Sequence, residues 1–364
     1  MSIKQTTRRL AMLVALILVA GACGGTEAAE TTAGTNTTQA ATETTQATAP
    51  AETTTTEAAP EPVNLTAVHG SSPDFIALVP AAAWTILAES GINVEQQYVE
   101  DATIAIQAMV QGEAQIATNI GVNVGLIAVE EGAPIVDVMA TQRPTWAFVS
   151  RDEFSTIEEL KGATVGVHSE TSFTKALADF YDEQYDLGMT QLIVPGSEVR
   201  AEALANDQID ASVIDLPDIV RLSATYPGSF VVLETVGETL PMLIEQDIWM
   251  DRGWVEENPE VALQVVTGLV EGLRKLIDDP EFALNLATEL LPDEDPASLE
   301  ELITEYASRG LWDPNGILTE ETAAFTVDFF AELGEIEVDP AAVDLNDYFN
   351  FELLGSALEA LGRR

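Results

Sequence analysis

His69 and His168 are the only histidines in the 364-residue chain, and Cys23 is its only cysteine. Covalent chemistry therefore has little to draw on. A hydrolase needs a nucleophile and a base within hydrogen-bond reach, and the chain offers no Gly-x-Ser-x-Gly elbow and two histidines far apart in sequence. Glu170 and Asp74 are candidate third ligands for a zinc ion held by the histidines, but the spacing matches no zinc motif. Trp312-Asp313-Pro314-Asn315-Gly316 has the composition of a calcium loop. With Gly316 in the sixth position, however, Leu311 is first and Thr322 twelfth, so the ligand set fails. That stretch reads as a turn into a helix capped by Thr319, with Glu320 and Glu321 at its positive end. The pattern points to binding rather than catalysis, with no metal and no cofactor.

The elements that position these residues alternate between strand and helix. Short β-like runs fall at residues 65–68, 94–99, 115–118 and 135–140, with helical stretches after the first three. A second set has strands at 164–167, 191–194 and 211–214, again with helices between, and a last helix and strand up to residue 233. Ser155 or Thr156 opens a short helix before the second set, answered by Glu158 or Glu159. Such alternation argues for βαβ units around mostly parallel sheets. After Val236 the pattern becomes helical. Asn258-Pro259-Glu260 is a helix start, with a capping side chain, Pro in the first turn and an acid at the positive end. Val261, Val265, Leu269, Leu273 and Leu276 then share one face. Further helices begin near Pro280, Ala297 and Thr319, and the last covers 352–361.

In open α/β sheets, ligands meet the loops beyond the carboxyl ends of the strands. Those loops are 69–74, 119–123, 168–172, 195–197 and 215–217, and several open helices whose free amides can hold a polar group. Ser71, Ser72, Asn119, Asn123, Thr171 and Ser172 are small polar residues suited to hydrogen-bonding a solute, and each could equally cap its own helix. His69 and His168 either touch the solute or hold structural hydrogen bonds. Trp146 can stack on a ring or pack in the core. Asp74, Glu170 and Asp215 complete the candidate set.

The chain carries 15 Lys and Arg against 61 Asp and Glu, a net charge of −46. Such a surface repels nucleic acid and anionic head groups, so neither is a partner. Lys4, Arg8 and Arg9, an apolar run over 10–19 and Ala20-Gly21-Ala22 form an export signal over residues 1–22, too short to span a bilayer. The forty residues from Gly24 to Val63 hold fourteen Thr, six Glu and no Lys or Arg. That segment cannot bury enough to offset its ordering entropy and reads as a disordered tether with a reach of roughly 35 Å. The remaining length forms two lobes without disulfides. The head is read as a monomer.

Two resemblances sharpen this. Val19-Ala20-Gly21-Ala22-Cys23 resembles the bacterial lipoprotein lipobox, with Ala20 where Leu is most often found. The resemblance implies a thioether-linked diacylglycerol on Cys23 and, with a further acyl chain, a stable membrane anchor. Gly24 carries no inner-membrane retention signal, which suits the outer face of the cytoplasmic membrane in a monoderm-like envelope.

The head resembles the substrate-binding proteins of bacterial ABC importers, in the nitrate, sulfonate, taurine and thiamine-precursor branch. The match is carried by Glu158-Glu159-Leu160-Lys161-Gly162 leading to Val165-Gly166-Val167, by Asn206-Asp207-Gln208-Ile209-Asp210-Ala211 followed by Asp215-Leu216-Pro217, and by Gly112-Glu113-Ala114-Gln115-Ile116-Ala117. Asn258-Pro259-Glu260 and Asp347-Tyr348-Phe349 resemble its late helical landmarks. The resemblance implies a two-lobed α/β fold of the periplasmic-binding-protein type II class, with C-terminal helices packed on the first lobe. Residues 64–142 and 236–364 would build that lobe and 143–235 the second, with crossovers near 141–147 and 233–241. It further implies cleft closure on a small solute and docking on a permease and its ATPase, the tether keeping the receptor near them. No arginine stands in the strand-end loops, Arg143 near a crossover aside. A taurine-like zwitterion, an aminopyrimidine or a neutral polar solute therefore fits better than a bare anion. The alternative is a surface lipoprotein that presents its solute to a sensor without a dedicated permease.

Overall fold

The computed structural model describes residues 62–340 and 342–364. The segments read from sequence as an export signal, a lipidation site at Cys23 and a tether, up to residue 61, lie outside the described residues. Among the described residues, ten strands form two sheets. They are β1 (Val63–His69), β2 (Ile92–Tyr98), β3 (Ile116–Gly121), β4 (Ile135–Ala140), β5 (Ala147–Arg151), β6 (Thr164–Val167), β7 (Thr190–Ile193), β8 (Ala211–Ile214), β9 (Phe230–Thr235) and β10 (Gln246–Asp251). The first sheet runs β2-β1-β3-β10-β4 and the second β7-β6-β8-β5-β9.

Each sheet has a parallel part built from βαβ units and one strand inserted against it. In the first sheet β1 pairs in parallel with β2 and β3, while β10 enters antiparallel between β3 and β4. In the second, β6 pairs in parallel with β7 and β8, while β5 runs antiparallel between β8 and β9. The inserted strands are the ones that follow each passage of the chain between sheets, residues 141–146 outward and 236–245 back. β10 corrects the helical expectation after Val236. Its apolar centre is only Ile248-Trp249-Met250, flanked by acids, and both faces are buried, so it has neither the length nor the alternation that marks a strand in sequence. The second passage also starts later than 233, because β9 continues through Thr235.

Helix capping departs from expectation at two starts. At Ile157–Leu160 the element is a single 3-10 turn in which Thr156 makes no side-chain cap, although Glu159 Oε2 accepts the Ser155 N–H at 2.7 Å. Asn258 does not cap the helix Pro259–Asp278; its amide donates instead to the Trp254 carbonyl at 3.0 Å. Thr319 does cap the helix Glu320–Glu332, in a capping box with Thr322.

The C-terminal helices pack on the first sheet's side of the molecule. Pro259–Asp278 lies against Leu78–Glu89 on one side and Phe351–Leu361 on another. Val265, Leu269, Leu273 and Leu276 are all fully buried on its inner face. Arg274 ties the chain end down by donating to the carbonyls of Pro314 at 2.8 Å and Gly362 at 2.7 Å. Gly268 and Gly272 let the two helices approach. A Cβ at Gly272 would stand 2.6 Å from the Ala83 backbone nitrogen. Because that neighbour is backbone, it cannot move aside without shifting a helix. Gly272→Ala is expected to lower stability by about 1–3 kcal/mol, read as a reduced urea midpoint with an unchanged m-value.

Candidate ligand-binding cleft

A cavity of about 850 Å³ opens between the strand ends of the two sheets. On the first sheet's side the wall is a hydrogen-bonded knot around Asp74. Its carboxylate accepts from Ser71 Oγ at 2.7 Å, Asn119 Nδ2 at 2.9 Å and the Ala77 N–H at 3.1 Å, and His69 Nε2 lies 3.3 Å away. Asn119 reaches this knot because its φ of 54° turns the end of β3 through the left-handed region, which Asn tolerates. Burial works against the charge on Asp74. The neighbouring His69 and the hydrogen bonds overcome it and bring the carboxyl below its usual range. His69 is itself 0 % exposed and spans Thr118 Oγ and Asp74, so it braces the knot from behind.

On the second sheet's side, His168 Nδ1 accepts the Gly196 N–H at 3.1 Å. In the neutral ring the proton therefore sits on Nε2, which faces Asp101 Oδ2 of the first half at 3.6 Å. Asp101 caps the helix Ala102–Val110. Its carboxyl is held far below the usual range, chiefly by the neighbouring His168 and further by Thr103, against burial. A second bridge crosses the same gap: Asn123 Nδ2 donates to the Thr171 carbonyl at 3.0 Å. Ser172 caps the helix Phe173–Tyr185 and bonds to Ser169.

The floor of the cavity lies where the two chain passages meet. Glu245, at 1 % exposure, accepts the N–H of Thr145 at 2.7 Å and of Trp146 at 3.3 Å. Thr145 Oγ lies 3.0 Å from Asp215 Oδ1, which also accepts the Leu216 N–H at 2.7 Å. Asp215 is 7 % exposed. Burial pushes its carboxyl up to about 7, with Asp218 and Asp74 adding like charge and the Thr145 and Leu216 bonds opposing. Burial likewise raises Glu245 well above a normal glutamate. Arg200 stands 6.0 Å from the Trp146 ring centre and donates to the carbonyls of Val194 and Val213.

Of the residues the sequence nominates, Ser71, Ser72, Asp74, Asn119, Trp146, His168, Ser172 and Asp215 line the cavity. The other four do not. His69 and Asn123 are fully buried behind the wall, and Glu170 and Thr171 are exposed. Asp74, Ser172 and Asp215 all cap their own helical turns as well as lining the cavity, so both readings hold at once. Arg143 is drawn away to Asp313 at 2.8 Å. Sequence reasoning missed Asp101, Gln246, Arg200 and Arg221. Asp101 follows β2, a strand end whose loop was passed over. The two arginines sit inside helices rather than in loops. Leu291, Leu299 and Leu302 come from the distant C-terminal helices, which no local pattern announces.

A family model described as NMT1/THI5 like matches residues 72–283, more than half of the chain. No curated protein matches by sequence. Among solved structures, the ligand-binding component of an ABC-type import system from Staphylococcus aureus, with zinc bound, is 11% identical with a TM-score of 0.67, covering 81% of this chain and 99% of its own. The periplasmic aliphatic sulphonate binding protein SsuA from Escherichia coli is 17% identical with a TM-score of 0.61, covering 80% and 92%. The desulfurization enzyme DSZB is 14% identical with a TM-score of 0.58, covering 81% and 99%. At these identities the likeness is one of fold, the periplasmic-binding-protein fold, which serves several chemistries.

Asp215 generates a pH test. Its folded-state value lies near 7, above the ordinary value of about 3.9 in an unfolded chain. The native state thus holds a proton that the unfolded state has lost, and stability falls as pH rises through that window. Asp215→Asn keeps the acceptor for Thr145 and Leu216 and removes the titration. The variant should match the parent near pH 4 and exceed it by a few kcal/mol at pH 8, measured by denaturant unfolding across pH. A gap independent of pH would show that Asp215 does not carry the shift.

Proposed function

The chain belongs to the NMT1/THI5-like family, and we propose that it is the extracytoplasmic solute receptor of an ABC importer. It would take a small organic solute into the cleft, close around it and present it to a permease and its ATPase. The observation that carries this is the cavity itself: a site of solute size lined from both sheets, with only two chain passages joining the halves. Asp101–His168 and Asn123–Thr171 bridge the two halves and are suited to act as clasps that form on closure and part on opening. A Trp, several small polar groups and buried carboxylates are the furniture of binding. With Cys23 as the sole cysteine, the cleft has no thiol, and the histidine nearest to it has its Nδ1 spent on a backbone amide. These features favour a receptor over an enzyme.

Anchoring follows from the sequence in this reading. A lipid on Cys23 and the Thr-rich tether would hold the head at the outer face of the cytoplasmic membrane. Cys23→Ser is expected to move the protein from the membrane pellet to the soluble or secreted fraction; a pellet unchanged by the substitution would sink the anchor.

The clasps provide the functional test. Removing both, in Asn123→Ala with His168→Ala, should weaken solute binding about tenfold, since a hydrogen bond and a close His–carboxylate contact are lost from the closed form alone. The ligand-free radius of gyration should rise in solution scattering and fall again with saturating solute. Identical scattering and affinity in parent and variant would refute closure through these contacts.

A further inference from the structure

Among the described residues, eight carboxylate side chains, four of them exposed, and two guanidiniums line the cavity. Neither guanidinium is free. Arg221 pairs with Asp218 at 2.8 Å. Arg200 is 1 % exposed, spends its donors on the carbonyls of Val194 and Val213, and is shared electrostatically by Asp218, Glu198 and Asp215. A sulfonate, carboxylate or nitrate entering this space would meet excess negative charge and no unspent counterion.

Asp215 is the contrary case. It is more than nine-tenths buried in the cavity wall, and both of its hydrogen bonds fall on Oδ1, leaving Oδ2 without a partner among the described residues. A buried carboxylate in this position is costly unless a positive group meets it. Across the wall, Asn119 is oriented by Nδ2 donating to Ser71 and Asp74, so that Oδ1 is left as an acceptor with no partner. Trp146, also lining the cavity, adds an aromatic face.

We infer that the solute of this cleft is a small organic cation bearing N–H donors, an amine or amidine whose charged head takes Asp215 as its counterion. The apolar walls of Trp146, Phe75 and Phe173 cover the body of the solute. A bare metal ion is the weaker occupant, because no three His, Cys, Asp or Glu side chains among the described residues converge to hold one. This assignment rests on the receptor reading above and narrows it from small organic solutes to cationic ones.

The test uses the full-length protein in detergent and a small-molecule extract, passed through a chelating resin and split at pH 7.5 on cation and anion exchangers. The fraction retained by the cation exchanger should raise the thermal midpoint. For Asp215→Asn the amount needed for a half-maximal rise should increase on the order of a hundredfold, the usual consequence of removing one partner of a buried charge pair. The variant's own unfolding curve keeps that loss distinct from misfolding. A stabilising activity found only in the flow-through or anion-exchange fractions would overturn the cation and leave the receptor standing. So would a cation-exchange fraction that acts equally on parent and Asp215→Asn. No shift with any fraction would overturn both.

Discussion

Glu245 fastens the outgoing chain passage to the returning one, and the cleft hangs on that contact. Its two carboxyl oxygens take the backbone N–H groups of Thr145 and Trp146, donors that would otherwise be orphaned where the chain leaves the first sheet. That fixes the position from which β5 enters the second sheet and the place where Trp146 meets the cavity. Thr145 then extends the contact. Its hydroxyl lies 3.0 Å from Asp215 and 3.4 Å from Glu245, and one proton serves only one of them at a time. The acid that joins the halves and the acid that faces the cavity thus share a donor, so the protonation of either bears on the other.

Charge means different things at different depths in this molecule. The excess of acids over the whole chain is mostly solvated and says little about a ligand, because exposed charges are screened within about 10 Å. Acids set into the cavity wall cannot be treated that way. The field of buried Asp215 and of the part-buried Asp74, Asp101 and Asp218 is dispersed less by water and constrains what can enter, whereas Glu100, Glu198, Asp293 and Glu294 are exposed and screened. Neighbours of the same fold include an aliphatic sulphonate binding protein and an import-system component with zinc bound, so the scaffold alone does not set what is bound.

The scaffold was legible where local rules act alone. Strands 135–140, 164–167 and 211–214 coincide with β4, β6 and β8, because short apolar runs between turn residues have few other fates. β10 was not legible, since a strand inserted from a distant part of the chain needs no alternation once neighbours cover both faces. The cleft was half legible for a related reason. Strand-end loops follow from sheet geometry, and that rule found Asp74, Asn119, His168 and Asp215. It could not find Arg200 and Arg221 within helices, or the leucines of the C-terminal helices, which arrive through tertiary packing. Nor could it tell that His69, at the head of its loop, would turn inward to brace Asp74.

Asp137 and Asp247 show why a raised carboxyl does not by itself mark a binding site. They lie on the neighbouring strands β4 and β10, essentially unexposed, and burial pushes Asp137 up to about 7 and Asp247 well above its usual value. Each carboxyl also lies near the other, and their like charge adds to burial in keeping Asp247 from ionising. Neither residue lines the cavity. Their perturbation equals that of Asp215 in kind, yet it arises between two acids sealed away from the cavity, and nothing from outside can reach them. Asp215 has its like-charged neighbours at a distance, a free oxygen and a space in front of it large enough for a molecule. What separates a structural acid from a recognising one here is the access of a partner, not the size of the shift.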